Sequence, residues 1–460
     1  MMRVSEAAFA LGVDHRGDNP TFTSVGTDSR NVKPGELFIA LRGEHFDAHQ
    51  HIAAARAAGA IAAIADVAGA PLAPADMPLI TVNNTRSALT QLAYAWRSRF
   101  SMPLVALTGS SGKTTVKEML AAILREHVGD AVLATRGNLN NEIGVPLMLL
   151  ELNASHRYAV IELGMNHSSE ISRLTQLACP NVALINNAGR AHIEYLGSED
   201  AIARAKGEIF EGLSSQGVAV INADDAHATL WQKLVNKNKC LRFGIEQPAD
   251  ISARYTLSAT ATASEMMITA PTGSVNVTLN APGLHNVRNA LAACAAAVAL
   301  NVPIAVIQSG LSRYSGFKGR LQRKAAPGGA TIIDDTYNAN PESVRAAIDV
   351  LAHVPGKRLL VLGDMGELGE RAAACHTEIG AYARQVRIEK LYALGEMSAL
   401  TAVAFGAGAR HFESIEALQA ALKAELAPDV TALVKGSRFM KMERVVEALI
   451  AGAKEDYVCS

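Results

Sequence analysis

The chain has 460 residues, which at roughly 100–200 residues per domain indicates two to four domains. Hydrophobic residues make up 49% of the sequence and charged residues 19%, a composition that builds real cores and excludes a disordered chain. Lys+Arg is 43 and Asp+Glu is 44, so the net charge of -1 gives no electrostatic reason to expect a nucleic acid as a partner. Five dispersed cysteines without a CxxC pair argue against a disulfide framework and a zinc site.

The N-terminal segment lacks the long apolar core of a signal peptide. The most apolar run, 290–307, is interrupted by Asn301 and Pro303, so it predicts a buried helix followed by a turn and not a membrane span. We therefore expect a cytoplasmic protein that does not insert into membranes.

Three zones of different texture predict three α/β domains, over 1–101, 102–313 and 314–460. In the first zone, a strand at 35–41 and helices at 52–58 and 87–100 predict a small α/β N-terminal domain. Met102-Pro103 ends this zone, because the residue before a proline leaves the helical region.

The second zone alternates short apolar strands with helices, which is typical of a doubly wound parallel sheet. Its strands are predicted at 104–108, 158–163 and 182–186. Thr and Ser alternate with apolar residues over 251–279, as in an antiparallel sheet, and a long helix is expected over 285–300. The zone is predicted to be a central P-loop mononucleotide-binding domain.

The third zone repeats the alternation and predicts a Rossmann-like C-terminal domain. Its strands are expected at 332–333, 359–362, 391–394 and 431–434, with helices such as 343–352 and 414–426 between them.

The strongest motif lies directly after the strand at 104–108 and opens a helix, which is the setting of a phosphate-binding loop. Its residues are Gly109, Ser110, Ser111, Gly112, Lys113, Thr114 and Thr115. Lys113 is expected to reach the β- and γ-phosphates of ATP, and Thr114 to offer its hydroxyl to Mg²⁺. Leu107 replaces the first glycine of the longer motif, so this is a short variant of the loop. The strand before it and Lys-Thr-Thr after it disfavour a chance glycine turn.

Two further residues lie after strand ends, where open parallel sheets bind ligands. Glu162 ends one strand and is expected to be a Mg²⁺ ligand, because this ion takes oxygen ligands. His192 follows another strand and is a candidate contact for a metal or a substrate, although a purely structural role fits a lone histidine equally well.

Lys206 is unusual because a predicted helix over 201–213 places it among Ile202, Ile209 and Leu213 on one face. One interpretation is a lysine whose ammonium reaches outward to solvent. The other is a lysine kept near neutral by burial, which can react with CO₂ to give a carbamate. A carbamate would be an anionic oxygen ligand for a second Mg²⁺.

Three more groups suit a nucleotide. Asn286 and Asn289 lie three residues apart at a helix start, and their amides suit an adenine edge, although capping of the helix by Asn286 is an alternative. Arg320 lies in the glycine-rich joint 315–320 and could close onto the γ-phosphate, unless it is a surface arginine. Asp335 follows a strand and could bind ribose hydroxyls.

Taken together, these motifs resemble those of the Mur ligases of bacterial wall synthesis, over essentially the whole chain. Further matching segments are Thr27-Asp28-Ser29-Arg30, Gly35-Glu36-Leu37-Phe38, Gly43-Glu44-His45-Phe46-Asp47, Asn138-Leu139-Asn140-Asn141-Glu142, Tyr337-Asn338-Ala339-Asn340-Pro341, Gly363-Asp364-Met365-Gly366-Glu367-Leu368-Gly369 and Lys435-Gly436-Ser437-Arg438. One departure is Ala48, which stands where the family has a glycine before His49.

The resemblance implies an ATP-dependent ligase that uses Mg²⁺ and joins D-alanyl-D-alanine to a UDP-N-acetylmuramoyl-tripeptide through an acyl phosphate. Nothing in the sequence demands more than a monomer, and neither a nucleic-acid partner nor membrane insertion is expected. The resemblance places substrate contacts at Ser29, Arg30, Phe46, Asp47, Asn138, Asn140, Asn141, Glu142, Asn338, Lys435, Ser437 and Arg438. Catalytic roles are implied for Lys113, Lys206, His192 and Arg320.

Three other classes of protein are alternatives. A folylpolyglutamate-type ligase of the same superfamily lacks the motifs of the first domain. A P-loop NTPase acting as a switch or motor would hydrolyse ATP without a small-molecule acceptor. A nicotinamide dehydrogenase is supported only by the Rossmann-like third zone, because segment 363–369 is not GxGxxG.

Overall fold

The computed structural model describes residues 1–191, 193–258 and 262–451 and consists of three α/β domains in chain order. The three-domain α/β fold predicted from the sequence is confirmed. The residues at which one domain passes into the next stay a prediction.

The N-terminal domain is built on a short, mostly parallel sheet in the order β2-β7-β6-β5-β4, and β1 pairs with β3 beside it. Its elements are β1 (Met2–Arg3), α1 (Val4–Ala10), β2 (His15–Arg16), β3 (Thr21–Phe22), β4 (Ser24–Gly26), β5 (Glu36–Ile39), α2 (Ile52–Ala57), β6 (Ala62–Asp66), β7 (Leu79–Val82) and α3 (Thr85–Arg97). Short 3-10 helices lie at Ala48–His51 and Ala70–Leu72.

The central domain contains a parallel sheet in the order β13-β12-β11-β8-β10-β9 and an antiparallel sheet in the order β14-β15-β16. Its elements are β8 (Leu104–Thr108), α4 (Lys113–Val128), β9 (Val132–Ala134), α5 (Gly144–Leu150), β10 (Tyr158–Glu162), α6 (Glu170–Ala178), β11 (Val182–Ile185), α7 (Ile193–Leu196), α8 (Glu199–Gly207), β12 (Val218–Asn222), α9 (Ala228–Leu234), β13 (Lys239–Phe243), β14 (Ser252–Leu257), β15 (Ser264–Ala270), β16 (Gly273–Leu279), α10 (Leu284–Ala299) and α11 (Ile304–Ser312).

The C-terminal domain has one sheet in the order β17-β18-β22-β19-β20-β21, in which only the pairing of β17 with β18 is antiparallel within the described chain. Its elements are β17 (Gln322–Ala325), β18 (Thr331–Asp335), α12 (Pro341–Ala352), β19 (Lys357–Gly363), α13 (Ala372–Gln385), β20 (Lys390–Leu394), α14 (Ser398–Phe405), β21 (Ala409–Phe412), α15 (Ile415–Lys423), β22 (Val430–Lys435) and α16 (Glu443–Ile450).

Burial explains why the apolar runs form these elements. All five residues of β8 are buried, as expected of a central parallel strand covered by helices on both faces. Alanine-rich α10 is buried over most of its surface, between α4 and the strands of both central sheets. Pro303 lies between α10 and α11, and no helix among the described residues is long and apolar enough to cross a membrane.

One predicted helix differs from the structure. The segment 201–213 is not a single helix, because α8 ends at Gly207 and a 3-10 helix follows at Glu208–Gly212. The 3-10 helix begins at Glu208, whose side chain makes tertiary contacts that the local sequence does not reveal. Both carboxylate oxygens of Glu208 accept hydrogen bonds from backbone N–H groups at the start of α6, those of Ser169 at 2.8 Å and Ser172 at 3.1 Å.

Candidate active site

The phosphate-binding loop joins β8 to α4 as predicted. Gly112 is the residue before α4 and has φ = +76°, a conformation that glycine adopts without strain. A Cβ atom at Gly112 would lie 2.4 Å from Asn289 Oδ1, so the position also lacks room for a side chain. Lys113 opens the helix, and its Nζ donates to the carbonyl oxygen of Gly109 at 2.5 Å. Thr114 and Thr115 follow in the first turn and are buried.

Two asparagines after β11 hold this loop in shape. Asn187 Oδ1 accepts from the backbone N–H of Ser111 at 2.8 Å, and the amide nitrogens of Asn186 and Asn187 donate to the Ser111 carbonyl. Gly189 N donates to Ser110 Oγ at 2.9 Å. Neither Asn186 nor Asn187 is among the residues predicted from the sequence. Their position directly after a parallel strand was the signal that could have identified them.

Glu162 lies at the end of β10 with only 2% of its surface exposed. Its Oε1 accepts from Asn140 Nδ2 at 2.9 Å, while its buried Oε2 has no partner among the described residues. Such a buried acceptor is costly unless something binds it. In the described part of the chain, no three His, Cys, Asp or Glu side chains are grouped as a metal site.

Lys206 is 1% exposed, so the interpretation as an outward-reaching lysine is wrong. Burial, and then the positive charge of Lys113, hold the pKa of Lys206 well below its usual range, while Asp225 opposes the shift. Burial likewise lowers the pKa of Lys113. His192 lies outside the described residues.

A chain of amides connects the loop to α10. Asn186 Nδ2 donates to Asn289 Oδ1 at 3.0 Å, and Asn289 Nδ2 donates to Asn286 Oδ1 at 3.3 Å. Asn286 Nδ2 donates to the Pro282 carbonyl, and Gly283 is the residue that caps α10. Asn286 and Asn289 therefore share a face as predicted, and the capping role for Asn286 is wrong. Beside them, burial lowers the pKa of His285 to about 4.

Arg320 connects the C-terminal domain to the phosphate-binding loop. Its Nη2 donates to Thr114 Oγ1 at 3.5 Å, and its guanidinium lies 4.2 Å from the ring centre of Tyr337. Its buried Nε has no partner among the residues described. Gly316 and Gly319 on the preceding joint have φ of +88° and +71°.

Asp335, at the end of β18, is paired with Lys435 at the end of the neighbouring β22. Lys435 is 1% exposed, and its Nζ donates to Asp335 Oδ2 at 2.6 Å and to the Asn338 carbonyl at 2.8 Å. Burial lowers the pKa of Lys435, and the carboxylate of Asp335 acts in the opposite direction.

Part of this set lines a cavity of about 610 Å³ between the central and C-terminal domains, whereas Lys113, Thr114, Glu162 and Lys206 are not among the residues of its wall. Its wall includes Ser111, Gly112, Asn286, Asn289, Arg320 and Asp335. The structure thus brings together most of the residues predicted to bind ATP. The volume, the helix N-terminus at the loop and the neighbouring amides of α10 suit a nucleotide.

The candidate substrate residues of the first domain lie elsewhere. Arg30 pairs with Asp28 and lowers its pKa to about 2, and Ser29 lies between them in the chain. Phe46 is 58% exposed and stacks on His51 with ring centroids 5.2 Å apart. Asp47 Oδ1 accepts from His49 N at 3.0 Å and thereby caps the 3-10 helix.

The candidate substrate loop lies between the first domain and Glu162. Asn138 O accepts from Asn140 N, Asn141 Oδ1 accepts from Gly144 N at 2.8 Å at the start of α5, and Glu142 pairs with Arg86 of α3 at 2.5 Å.

Two further candidates follow β22 in the C-terminal domain. Ser437 Oγ accepts from Gly366 N at 2.8 Å and donates to the Ala339 carbonyl at 3.1 Å. Arg438 is exposed and pairs with Glu443 at 3.0 Å. Ser437 thus connects two of the segments that the sequence pattern singled out.

The fold and this cavity define a three-domain P-loop nucleotide-binding protein. Family descriptions match all three domains: "Mur ligase family, catalytic domain" over 21–97, "Mur ligase middle domain" over 107–297 and "Mur ligase, glutamate ligase domain" over 319–438. The chain belongs to the Mur ligase family.

Named relatives agree over the full length. The UDP-N-acetylmuramoyl-tripeptide–D-alanyl-D-alanine ligase of Escherichia coli (strain K12) is 42% identical over 97% of this chain and 98% of its own. The crystal structure of MurF from Acinetobacter baumannii superposes with a TM-score of 0.90 at 36% identity, covering 98% of each chain. The crystal structure of MurF ligase from Thermotoga maritima in complex with ADP superposes with a TM-score of 0.81 at 28% identity. The match covers 93% of this chain and 96% of the Thermotoga maritima chain.

Proposed function

We propose that this protein is the ATP-dependent ligase that joins D-alanyl-D-alanine to UDP-N-acetylmuramoyl-tripeptide, forming ADP and phosphate. The observation that carries the proposal is the direct contact of Arg320 with the phosphate-binding loop, in which its Nη2 lies 3.5 Å from Thr114 Oγ1. A relative of that activity, 42% identical over 97% of the chain, supports the choice of substrates.

The reaction proceeds in two steps. A carboxylate of the tripeptide attacks the γ-phosphorus of ATP; a P–O bond to the carboxylate forms and the P–O bond to ADP breaks, giving an acyl phosphate. The neutral amine of the dipeptide then attacks the acyl carbon, a C–N bond forms, phosphate leaves with the C–O bond electrons and the amine loses a proton. The ordinary pKa of such an amine, about 8, makes its deprotonation easy near neutral pH. Lys113 and Arg320 stabilise the charge on the transferred group.

Mg²⁺ fits the residues around the loop. The unpartnered Glu162 Oε2 and the hydroxyl of Thr114 are oxygen donors of the kind this ion prefers. When bound, Mg²⁺ would neutralise phosphate charge during the transfer. The metal therefore belongs to the proposed function together with ATP.

Lys206 would contribute a ligand after modification. Its lowered pKa favours the neutral amine, and a neutral amine adds to CO₂, with loss of one proton, to give a carbamate. The carbamate would place an anion next to the positive charge of Lys113, an attraction that the unmodified amine does not provide.

The tripeptide substrate would extend from the first domain to the cavity. Ser29, Arg30, Phe46 and Asp47 would hold the UDP-sugar end, and Asn138, Asn140, Asn141 and Glu142 the connecting part. Asn338, Ser437 and Arg438 would contact the incoming dipeptide. Lys435 would act through Asp335, to which its Nζ is bonded at 2.6 Å, and would thereby orient the ribose-binding carboxylate.

A phosphate-release assay tests this function. Release is measured with ATP, Mg²⁺ and a panel of UDP-muramoyl peptides, each with and without D-alanyl-D-alanine. We expect full turnover only when the tripeptide and the dipeptide are both present. We also propose that the protein is a cytoplasmic monomer. Equal turnover with ATP alone would instead support a P-loop NTPase of the switch or motor class.

A further inference from the structure

Outside the nucleotide cavity, one group of charged side chains connects the central and C-terminal domains. It consists of Arg190, Glu342, Glu378 and Arg345, here called the interdomain cluster. Arg190 Nε donates to Glu342 Oε1 at 2.7 Å, and its Nη1 donates to Glu378 Oε2 at 2.8 Å. Arg190 belongs to the loop after β11, whereas the two glutamates lie on α12 and α13.

The loop after β11, which contains Arg190, is also hydrogen-bonded to the phosphate-binding loop. Gly189, the neighbour of Arg190, donates its N–H to Ser110 Oγ at 2.9 Å. A Cβ placed on Gly189 would lie 3.3 Å from Glu342 Cδ, so the backbone of this loop and the first turn of α12 are in close contact. Glu342 itself lines the nucleotide cavity.

A second contact runs in parallel with the first. Asn340 caps α12 by accepting from Ser343 N at 2.8 Å, and its Nδ2 donates to Ser111 Oγ at 3.3 Å. The first turn of α12 thus touches the phosphate-binding loop directly, through Ser111, and indirectly, through Arg190.

The ion pairs are geometrically good. Arg190 reaches two carboxylates with one guanidinium, and its side chain is only 20% exposed. Glu378 also accepts from Arg345 Nη1 at 2.7 Å, and hydrogen bonding to Arg190 lowers the pKa of Glu378. Loss of Arg190 would leave two carboxylates beside one arginine, with Glu342 Oε2 already buried and unpartnered among the described residues.

We infer that Arg190 is a positioning residue, which holds the C-terminal domain against the phosphate-binding loop by pairing with Glu342 and Glu378. It acts on nucleotide binding through these two glutamates and contacts no reacting atom. The inference rests on the proposed function only for its turnover readout, since nucleotide affinity can be measured without the ligase substrates.

A double-mutant cycle tests the inference, with the variants Arg190→Gln, Glu378→Gln and the combination of the two. We measure the Kd of a non-hydrolysable ATP analogue with Mg²⁺, the KM for ATP, kcat and the radius of gyration with the analogue bound. Arg190→Gln is expected to weaken nucleotide binding roughly five- to tenfold and to raise KM more than it lowers kcat. The loss of binding free energy in the double variant should be smaller than the sum of the losses in the two single variants. Arg190→Lys should recover part of the affinity.

Arg358→Gln is the matched control, because Arg358 also pairs with a carboxylate, that of Glu389, but within the C-terminal domain. Its side chain is 18% exposed, similar to that of Arg190. This variant should lower the melting temperature and leave nucleotide affinity unchanged. Unchanged affinity and radius in Arg190→Gln, additive effects in the cycle, or an equal affinity loss in Arg358→Gln would each overturn the inference. If the ligase assay fails but the affinity pattern holds, the proposed function fails and the inference stands.

Discussion

Lys206 is the residue at which chemistry and burial conflict most. A buried ammonium next to the positive charge of Lys113 would repel a metal as well as its neighbour. We expect Lys206→Ala to fold, to bind the UDP-substrate and to lose most of its ligase activity. Formate or acetate at high concentration should restore part of this activity by occupying the vacated oxygen-ligand position.

Lys206→Gln is the control, because its side chain fills the space and should prevent rescue. Near-parental activity of the alanine variant, or no response of a well-folded inactive variant to carboxylates, would contradict the carbamate.

Lys113 is the single residue on which the proposed phosphoryl transfer depends most. Its Nζ is held at Gly109 O, so the ammonium already lies within the loop that would receive the phosphates. We expect Lys113→Ala to lower kcat/KM by orders of magnitude while circular dichroism and melting temperature stay close to those of the parent. Near-normal ligation by the folded variant would refute the assignment of the loop.

At the scale of the elements, helix α4 has a glycine at each end, and the two glycines can be compared. Gly112 before the helix and Gly129 after it both have positive φ, +76° and +67°, so alanine is strained at either position by about 1–2 kcal/mol. A Cβ at Gly112 would collide with Asn289 Oδ1, whereas a Cβ at Gly129 meets nothing within 4 Å. We expect both variants to lose stability, but only Gly112→Ala to lose nucleotide binding as well. Calorimetric titration with ADP checks this, and equal affinity in the two variants would contradict it.

The elements of the central domain show what the sequence could predict. The strand at 104–108, the loop at 109–115 and the helix after it were found because short apolar runs, glycines and Lys-Thr-Thr carry strong local signals. The long helix was predicted over 285–300 and is observed at Leu284–Ala299. These signals depend only on neighbouring residues.

Contacts between distant elements could not be predicted in this way. The hydrogen bonds that join Glu208 to the start of α6, Asn186 to Ser111 and Arg190 to Glu342 connect residues between 39 and 152 positions apart. The pairing of Lys435 with Asp335 joins residues 100 positions apart in sequence. Periodicity and motif spacing hold no information on such pairs.

At the scale of the whole molecule, the joint at 315–320 is where we expect movement. Gly316 and Gly319 have positive φ there, and the residues on either side belong to different domains. Closure around the site would exclude water from the acyl phosphate. Small-angle scattering should therefore show a smaller radius of gyration with an ATP analogue and the UDP-substrate than without ligands. An unchanged radius at saturating concentrations would count against closure.

The shared wall of the nucleotide cavity has a consequence for turnover. Because the wall comes from two domains, separation of these domains would open the site and release ADP. Contacts that hold the domains together more firmly therefore retain the product for longer. Partly exposed ion pairs such as those of Arg190 are weak compared with an apolar interface and can open in every cycle. A variant in which a hydrophobic contact replaces the ion pairs of Arg190 should bind the nucleotide more tightly and have a lower kcat.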